Sequence, residues 1–238
     1  MHPPGPKNLI TDVDGIRVGN ASDESVRTGV TVILPDKAAI AAVDVRGGAP
    51  GTRETDALDP TCLVDRIDAV TLSGGSAFGL DSSAGVMAWL KAEKRGFSVR
   101  GVQVPIVPCA ILFDLSNGGI EDWDELSLYR DLGYAACSNL VDDFPLGNVG
   151  AGFGAKAENL KGGLGSASSL TSCGVQVGAI VAANPFGSVI IPGTDCFWAG
   201  PLEWAGEFGN RGSTVCKQTC DFVFPIDPVP GESTVIGV

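Results

Sequence analysis

The sequence predicts a single α/β domain, and three observations carry that prediction. Short runs rich in β-branched and small residues recur at 28–34, 38–45, 68–73 and 175–185, each closed by a turn or Pro. Helical periodicity follows one of these runs directly: residues 82–91 come straight after a strand and a Gly-rich turn. The composition is that of a folded chain able to bury one large core, with 238 residues, 44% hydrophobic and 18% charged.

Taken in order, residues 9–13 and 16–20 read as short extended pieces around a turn at Asp14-Gly15. The run 28–34 is a strand ended by Pro35-Asp36, and 38–45 has the small and β-branched composition of a buried strand. The short turns between these pieces predict an antiparallel start to the sheet. Residues 46–56 form a loop dense in Gly and charge, readable as a solvated turn or as one wall of a site. A buried strand at 68–73 runs through Gly74-Gly75-Ser76-Ala77-Phe78-Gly79 into the helix at 82–91. That arrangement aims backbone N–H groups at a helix N-terminus, a natural seat for an anion or oxyanion.

Further on, residues 102–115 are apolar but interrupted by Pro105 and Pro108, which predicts an irregular or edge strand. A helix is expected within 122–138. Glycine then recurs at 147, 150, 152, 154, 162, 163 and 165, with Lys156 and Lys161 among them, and backbone must approach something closely there. The core strand at 175–185 ends in Asn184-Pro185, where an amide at a strand end is either a turn starter or an oxyanion donor. No repeats, low-complexity tracts or linkers appear, so residues 1–238 read as one domain.

Charge and composition exclude several functions. A net charge of −12 argues against nucleic acid or an anionic membrane surface as partner, since phosphate binding needs clustered Lys and Arg. No apolar run is long enough to cross a bilayer, and the start lacks the apolar segment of a signal peptide. Seven scattered Cys read as free thiols in a reducing, cytoplasmic setting; Cys216 and Cys220 alone make a weak metal signal. Histidine is the most informative absence. The only one is His2, so a Ser-His-Asp or Cys-His unit and a His-ligated metal are excluded. Any catalytic base must be an amine or a carboxylate.

That restriction directs attention to Ser233-Thr234, a hydroxyl pair between a Pro-rich run and an apolar, strand-like tail. The pair can be ordinary turn chemistry. Alternatively, a Thr freed by backbone cleavage carries an α-amine that activates its own hydroxyl.

Several long motifs occur in order: 8–13, 43–55 (Val-Asp-Val-Arg-Gly-Gly-Ala-Pro-Gly-Thr-Arg-Glu-Thr), 72–81 (Leu-Ser-Gly-Gly-Ser-Ala-Phe-Gly-Leu-Asp), 105–108 and 147–152. Together they resemble the L-aminopeptidase D-amidase/D-esterase (DmpA-type) family, which includes β-peptidyl aminopeptidases and the nylon-oligomer endo-hydrolase. The resemblance covers nearly the whole chain. It implies a four-layer α/β/β/α sandwich related to ornithine acetyltransferase, and a precursor that cuts itself into an α and a β chain. Here the cut falls between Ser233 and Thr234, giving an α-chain of 1–233 and the first β-chain residues, 234–238. Thr234 becomes the nucleophile.

By the same resemblance, Asn184 is the oxyanion-side amide, and Gly74, Gly75, Ser76 and Phe78 form the substrate and oxyanion loop. Phe78 replaces a Tyr that some members carry. Ungapped matching of the family's catalytic lysine falls on Asn159, so a shift is needed for Lys161 or Lys156 to serve; Lys161 is the first choice. The family implies a small peptide or amide substrate, no cofactor, and a homo-oligomer of processed units. Its members continue well past the nucleophile strand. Three accounts of Val238 therefore stand: the sequence is part of a longer chain, the remainder is a second polypeptide, or the protein is an inactive homologue. An acyltransferase of the ornithine acetyltransferase type is the alternative activity.

Overall fold

The structure is a computed structural model and describes residues 2–120, 127–212 and 234–238. A mixed five-stranded sheet is its first layer. Strand β1 (Ile16–Asp23) pairs antiparallel with β2 (Thr28–Pro35) through the full register Ile16↔Pro35 to Asp23↔Thr28. The two-residue β3 (Thr52–Arg53) lies at the opposite edge, and β4 (Val70–Ser73) pairs antiparallel with β2. The β5–β6 hairpin (Phe97–Val99 and Val102–Val104) stands apart, and β7 (Cys109–Ile111) runs parallel to β4. The resulting order is β1-β2-β4-β7-β3. A parallel neighbour needs a crossover connection, and helix α1 (Ser82–Ala92) lies within it.

Helices α1 and α2 (Leu128–Ser138) cover one face of this sheet. Two glycines let them approach closely. A Cβ on Gly85 would run into the Arg130 carbonyl, and one on Gly133 would run into the Ser82 carbonyl. The other face is covered by a second, three-stranded sheet. After the small hairpin β8–β9 (Lys156–Ala157 and Leu160–Lys161), β10 (Gly163–Leu170) pairs with β11 (Gln176–Asn184), and β11 pairs with β12 (Thr234–Gly237).

Strand β2 shows why the layers hold. All eight of its residues are buried, and its side chains alternate between two cores as the pleat requires. Val30, Val32 and Leu34 pack with Val86, Leu90, Tyr129 and Ala136 on the helix side. Ile33 faces the other way, in the core where Leu72, Leu112, Leu164, Ile180 and Ile236 join the two sheets. The described residues thus supply an α/β/β arrangement, three of the four expected layers.

Three local expectations need correction. Residues 38–45 do not form a buried strand: only Ala39 pairs, with Ile67, while Ile40 is 75% exposed. Both edges of β2 are already taken by β1 and β4, so the segment that follows β2 has no ladder to join. Residues 10–12 form a 3-10 turn instead of an extended piece, because the Asp12 carboxylate gathers the amides of Lys7 and Leu9 and the Ser168 hydroxyl. Finally, residues 102–115 are irregular as expected, but β7 within them is interior, not an edge. Pro105 and Pro108 lie outside its ladder, and the Pro108 carbonyl still accepts the Thr71 N–H.

Candidate active site

The site is assembled where β11 ends, because β12 brings Thr234 back against it. In the antiparallel register Asn184 and Thr234 are direct partners, so two residues fifty apart in sequence share one end of the second sheet. Thr234 is half-buried and Asn184 is buried, 4% exposed. Ser233 and the Pro-rich run before it lie outside the described residues, so the geometry of the Ser233-Thr234 bond is not defined.

A buried amide must be satisfied on both its ends. The Asn184 Nδ2 donates to the Phe113 carbonyl at 2.8 Å, and its Oδ1 accepts the Lys156 backbone N–H, also at 2.8 Å. The side chain is therefore held in one orientation, facing the Gly-rich hairpin. Lys156 extends its Nζ to the Ser116 carbonyl at 2.7 Å. Lys161 is the cross-strand partner of Lys156 in β8–β9, so both project from the same face of that hairpin, and both are exposed. Of the two candidate lysines, Lys156 bonds to Asn184 directly, through its backbone N–H.

The Gly74-Gly75-Ser76 turn differs from its expected role. Its three N–H groups are all engaged within the protein: Gly74 with the Gly29 carbonyl at 2.9 Å, Gly75 with Asp114 Oδ1 at 2.7 Å, and Ser76 with the Leu112 carbonyl at 2.9 Å. In this conformation they offer no seat for an oxyanion. The turn is also strained at Ser76, φ 52°, whereas the left-handed φ of 83° at Gly75 suits glycine. A left-handed Ser costs about 1–2 kcal/mol. Phe78, 62% exposed, stands at the rim just beyond it. Arg53 secures the far end of this segment by donating to the Leu80 carbonyl at 3.2 Å.

Asp114 escaped the sequence reading. It is 4% exposed, and its Oδ2 accepts the Thr28 hydroxyl at 2.8 Å. Burial pushes its pKa up to about 6, against the partial relief of the Gly75 and Thr28 hydrogen bonds. A lone carboxylate inside the apolar run Ile111-Leu112-Phe113-Asp114-Leu115 was the available signal. Tyr129, whose ring blocks any Cβ on Gly75, closes the other side; burial raises its phenol pKa well above the usual value, and the Asp114 and Asp23 carboxylates add to this.

No cluster of His, Cys, Asp and Glu able to hold a metal occurs among the described residues. Among the described residues Cys62, Cys109, Cys137 and Cys173 are free thiols, with Cys109 and Cys137 buried and Cys62 and Cys173 exposed.

The sequence matches the model of peptidase family S58 over residues 8–221. The chain belongs to peptidase family S58. One relative is the uncharacterized aminopeptidase Rv1333 of Mycobacterium tuberculosis, 47% identical over 212 residues, a match covering 86% of this chain and 60% of the relative. Another is the 6-aminohexanoate-oligomer endohydrolase of Kocuria sp., 31% identical over 192 residues, covering 78% of this chain and 50% of the relative. The chain therefore spans about half to three-fifths of the length of these two relatives. The fold is shared with the L-aminopeptidase D-Ala-esterase/amidase of Ochrobactrum anthropi, a variant of the Ntn-hydrolase fold. The TM-score is 0.63 at 23% identity, covering 79% of this chain and 56% of that one. The DmpA-type resemblance and its α/β fold class thus hold for this S58 chain.

Proposed function

We propose that this chain carries the nucleophile of a self-processing amidohydrolase, an aminopeptidase acting on small peptides or related amides. The observation behind the proposal is the pairing of Thr234 with the buried, doubly tethered Asn184. In the processing step, Thr234 Oγ attacks the Ser233 carbonyl carbon and the peptide C–N bond breaks. Water then hydrolyses the resulting ester, leaving a carboxylate on Ser233 and a free α-amine on Thr234. In turnover the amine takes the hydroxyl proton as Oγ attacks the substrate carbonyl, and passes it to the departing amine. Water releases the acyl group.

Within this scheme Asn184 is the oxyanion-side amide, a role worth about 3 kcal/mol. Lys156 takes the lysine role, because its own backbone amide is bonded to Asn184. Its positive charge, with that of Lys161 across the hairpin, favours the neutral form of a nearby α-amine. Relatives named as an aminopeptidase and as an oligoamide endohydrolase favour hydrolysis over the acyltransferase reading. The substrate class is thus a small amide, and the processed units are proposed to associate as a cytoplasmic homo-oligomer.

Mass spectrometry of the full-length gene product tests the scheme. The expected result is a cut between Ser233 and Thr234, lost in Thr234→Ala, together with hydrolysis of aminoacyl p-nitroanilides or 6-aminohexanoate oligomers by the processed form alone. A chain that stays whole, or is cut elsewhere, refutes it.

A further inference from the structure

We infer that Asp114 is a positioning residue: with its neighbours Phe113 and Ser116 it clamps together the glycine turn, Asn184 and Lys156. This inference rests on the proposed Thr234 chemistry for its consequence, but not for its geometry.

One four-residue stretch after β7 makes three separate attachments. The Asp114 carboxylate holds Gly75 by its N–H, the Phe113 carbonyl holds the Asn184 amide, and the Ser116 carbonyl holds Lys156 Nζ. No other stretch touches all three in the described hydrogen bonds. The carboxylate is also enclosed by backbone. A Cβ on Gly74 would collide with Asp114 Oδ2 and Thr28 Oγ1, and one on Gly154 would collide first with the Arg27 carbonyl and then with Asp114 Oδ2 and Asn117 Nδ2. Asn117 in turn donates to the Arg27 carbonyl, closing the cradle from β2's side. Glycine at 74 is therefore explained by the carboxylate, and glycine at 154 by the Arg27 carbonyl together with it: the backbone approaches Asp114 and leaves no room for side chains.

The turn needs such an anchor. A left-handed Ser76 directly after the left-handed Gly75 is unfavourable in isolation and persists only when surrounding bonds over-determine it. A charge-assisted bond from Gly75 to a carboxylate is the strong kind. Burying a carboxylate is otherwise unfavourable, and a simple packing role would be filled better by an apolar side chain. The groups facing Asp114 are the Thr28 hydroxyl from β2, the Gly75 amide and the Tyr129 phenol from α2. The more distant charges are Asp23, which acts on Tyr129, and Lys156 beyond Ser116. None of the cations ion-pairs with it among the described residues.

The test uses the full-length protein and its Asp114→Asn and Asp114→Glu variants. In the wild type, the Gly75 amide proton should be shifted strongly downfield in NMR spectra. It should move with pH through one midpoint near 6, and the Asn184 side-chain amide should move at the same midpoint. In Asp114→Asn both titrations should vanish. The processed variant should keep its KM within a few-fold while kcat falls on the order of 10²-fold, the usual effect of a small misplacement. Asp114→Glu, too long for the cradle, should not rescue it. A Gly75 amide that ignores the midpoint, or an Asp114→Asn enzyme with wild-type kcat and pH profile, overturns the inference. A wild type that neither processes itself nor hydrolyses amides refutes the proposed function. The coupled amide titrations still decide the clamp in that case.

Discussion

Asp114→Asn should make the protein more stable at neutral pH, and the size of the effect follows from its environment. Burial raises the carboxyl's pKa from the ordinary value near 4 to about 6. A carboxyl whose folded pKa lies above its unfolded pKa stabilises the fold while protonated. That contribution is fully present below pH 4 and is lost as the pH rises through 6. For a shift of this size the loss is about 3 kcal/mol. Asparagine has nearly the same shape and keeps an oxygen for the Gly75 N–H, but without the charge that makes the carboxylate's bond a strong anchor. Its amide meets Thr28 Oγ1, whose hydroxyl must turn its hydrogen away, at a cost of about 1 kcal/mol. The variant should therefore be about 2 kcal/mol more stable than wild type at pH 7.5, and about 1 kcal/mol less stable at pH 4. Urea unfolding of both proteins at a series of pH values measures this, since the difference in midpoint times the common slope gives the difference in stability. Other carboxylates act in the opposite direction, for example Asp23, whose pKa is lowered by the Ser25 hydroxyl and the Val26 amide. They are common to both proteins and cancel in the difference. A stability difference that stays constant from pH 4 to 7.5, or one that favours the wild type as pH rises, would refute the reasoning.

Other outcomes follow from the same structure. Gly85→Ala and Gly133→Ala should each destabilise by about 1–3 kcal/mol despite alanine's better helix propensity, because the added methyl meets backbone carbonyls of the facing helix; chemical denaturation of the two variants checks this. Asn184→Ala should lower kcat by about 10²- to 10³-fold if it serves the oxyanion. It should also destabilise the fold by about 1–3 kcal/mol, since it strands the Lys156 N–H and the Phe113 carbonyl. Thiol labelling of the native protein followed by peptide mapping should find Cys173 among the first sites to react. It is exposed, and the Thr171 hydroxyl lowers its pKa. Cys109 and Cys137 should stay protected until unfolding, because burial pushes their thiols up to about 11 and about 12.

Much of this protein is legible in its residues. The strands at 28–34, 68–73 and 175–185 and the helix at 82–91 declare themselves because their patterns are local: β-branched runs closed by Pro or Gly, and a helical repeat. His2 is the only histidine of these 238 residues, so within them a catalytic base is an amine or a carboxylate, a reading that needs no coordinates. The motifs suffice for the family. Tertiary structure decides what depends on competition for partners. The segment 38–45 has a strand's composition yet stays outside the sheet, because β1 and β4 occupy both edges of β2. Cys109–Ile111 becomes interior although prolines precede it. The glycine turn reads as an anion seat until its three amides are found committed to Gly29, Asp114 and Leu112. Asp114 itself looks like a single acid in an apolar stretch, and only folding wraps Gly74, Gly75 and Gly154 around it. A sequence records which groups a segment carries; which of them remain available depends on what the rest of the chain places beside them.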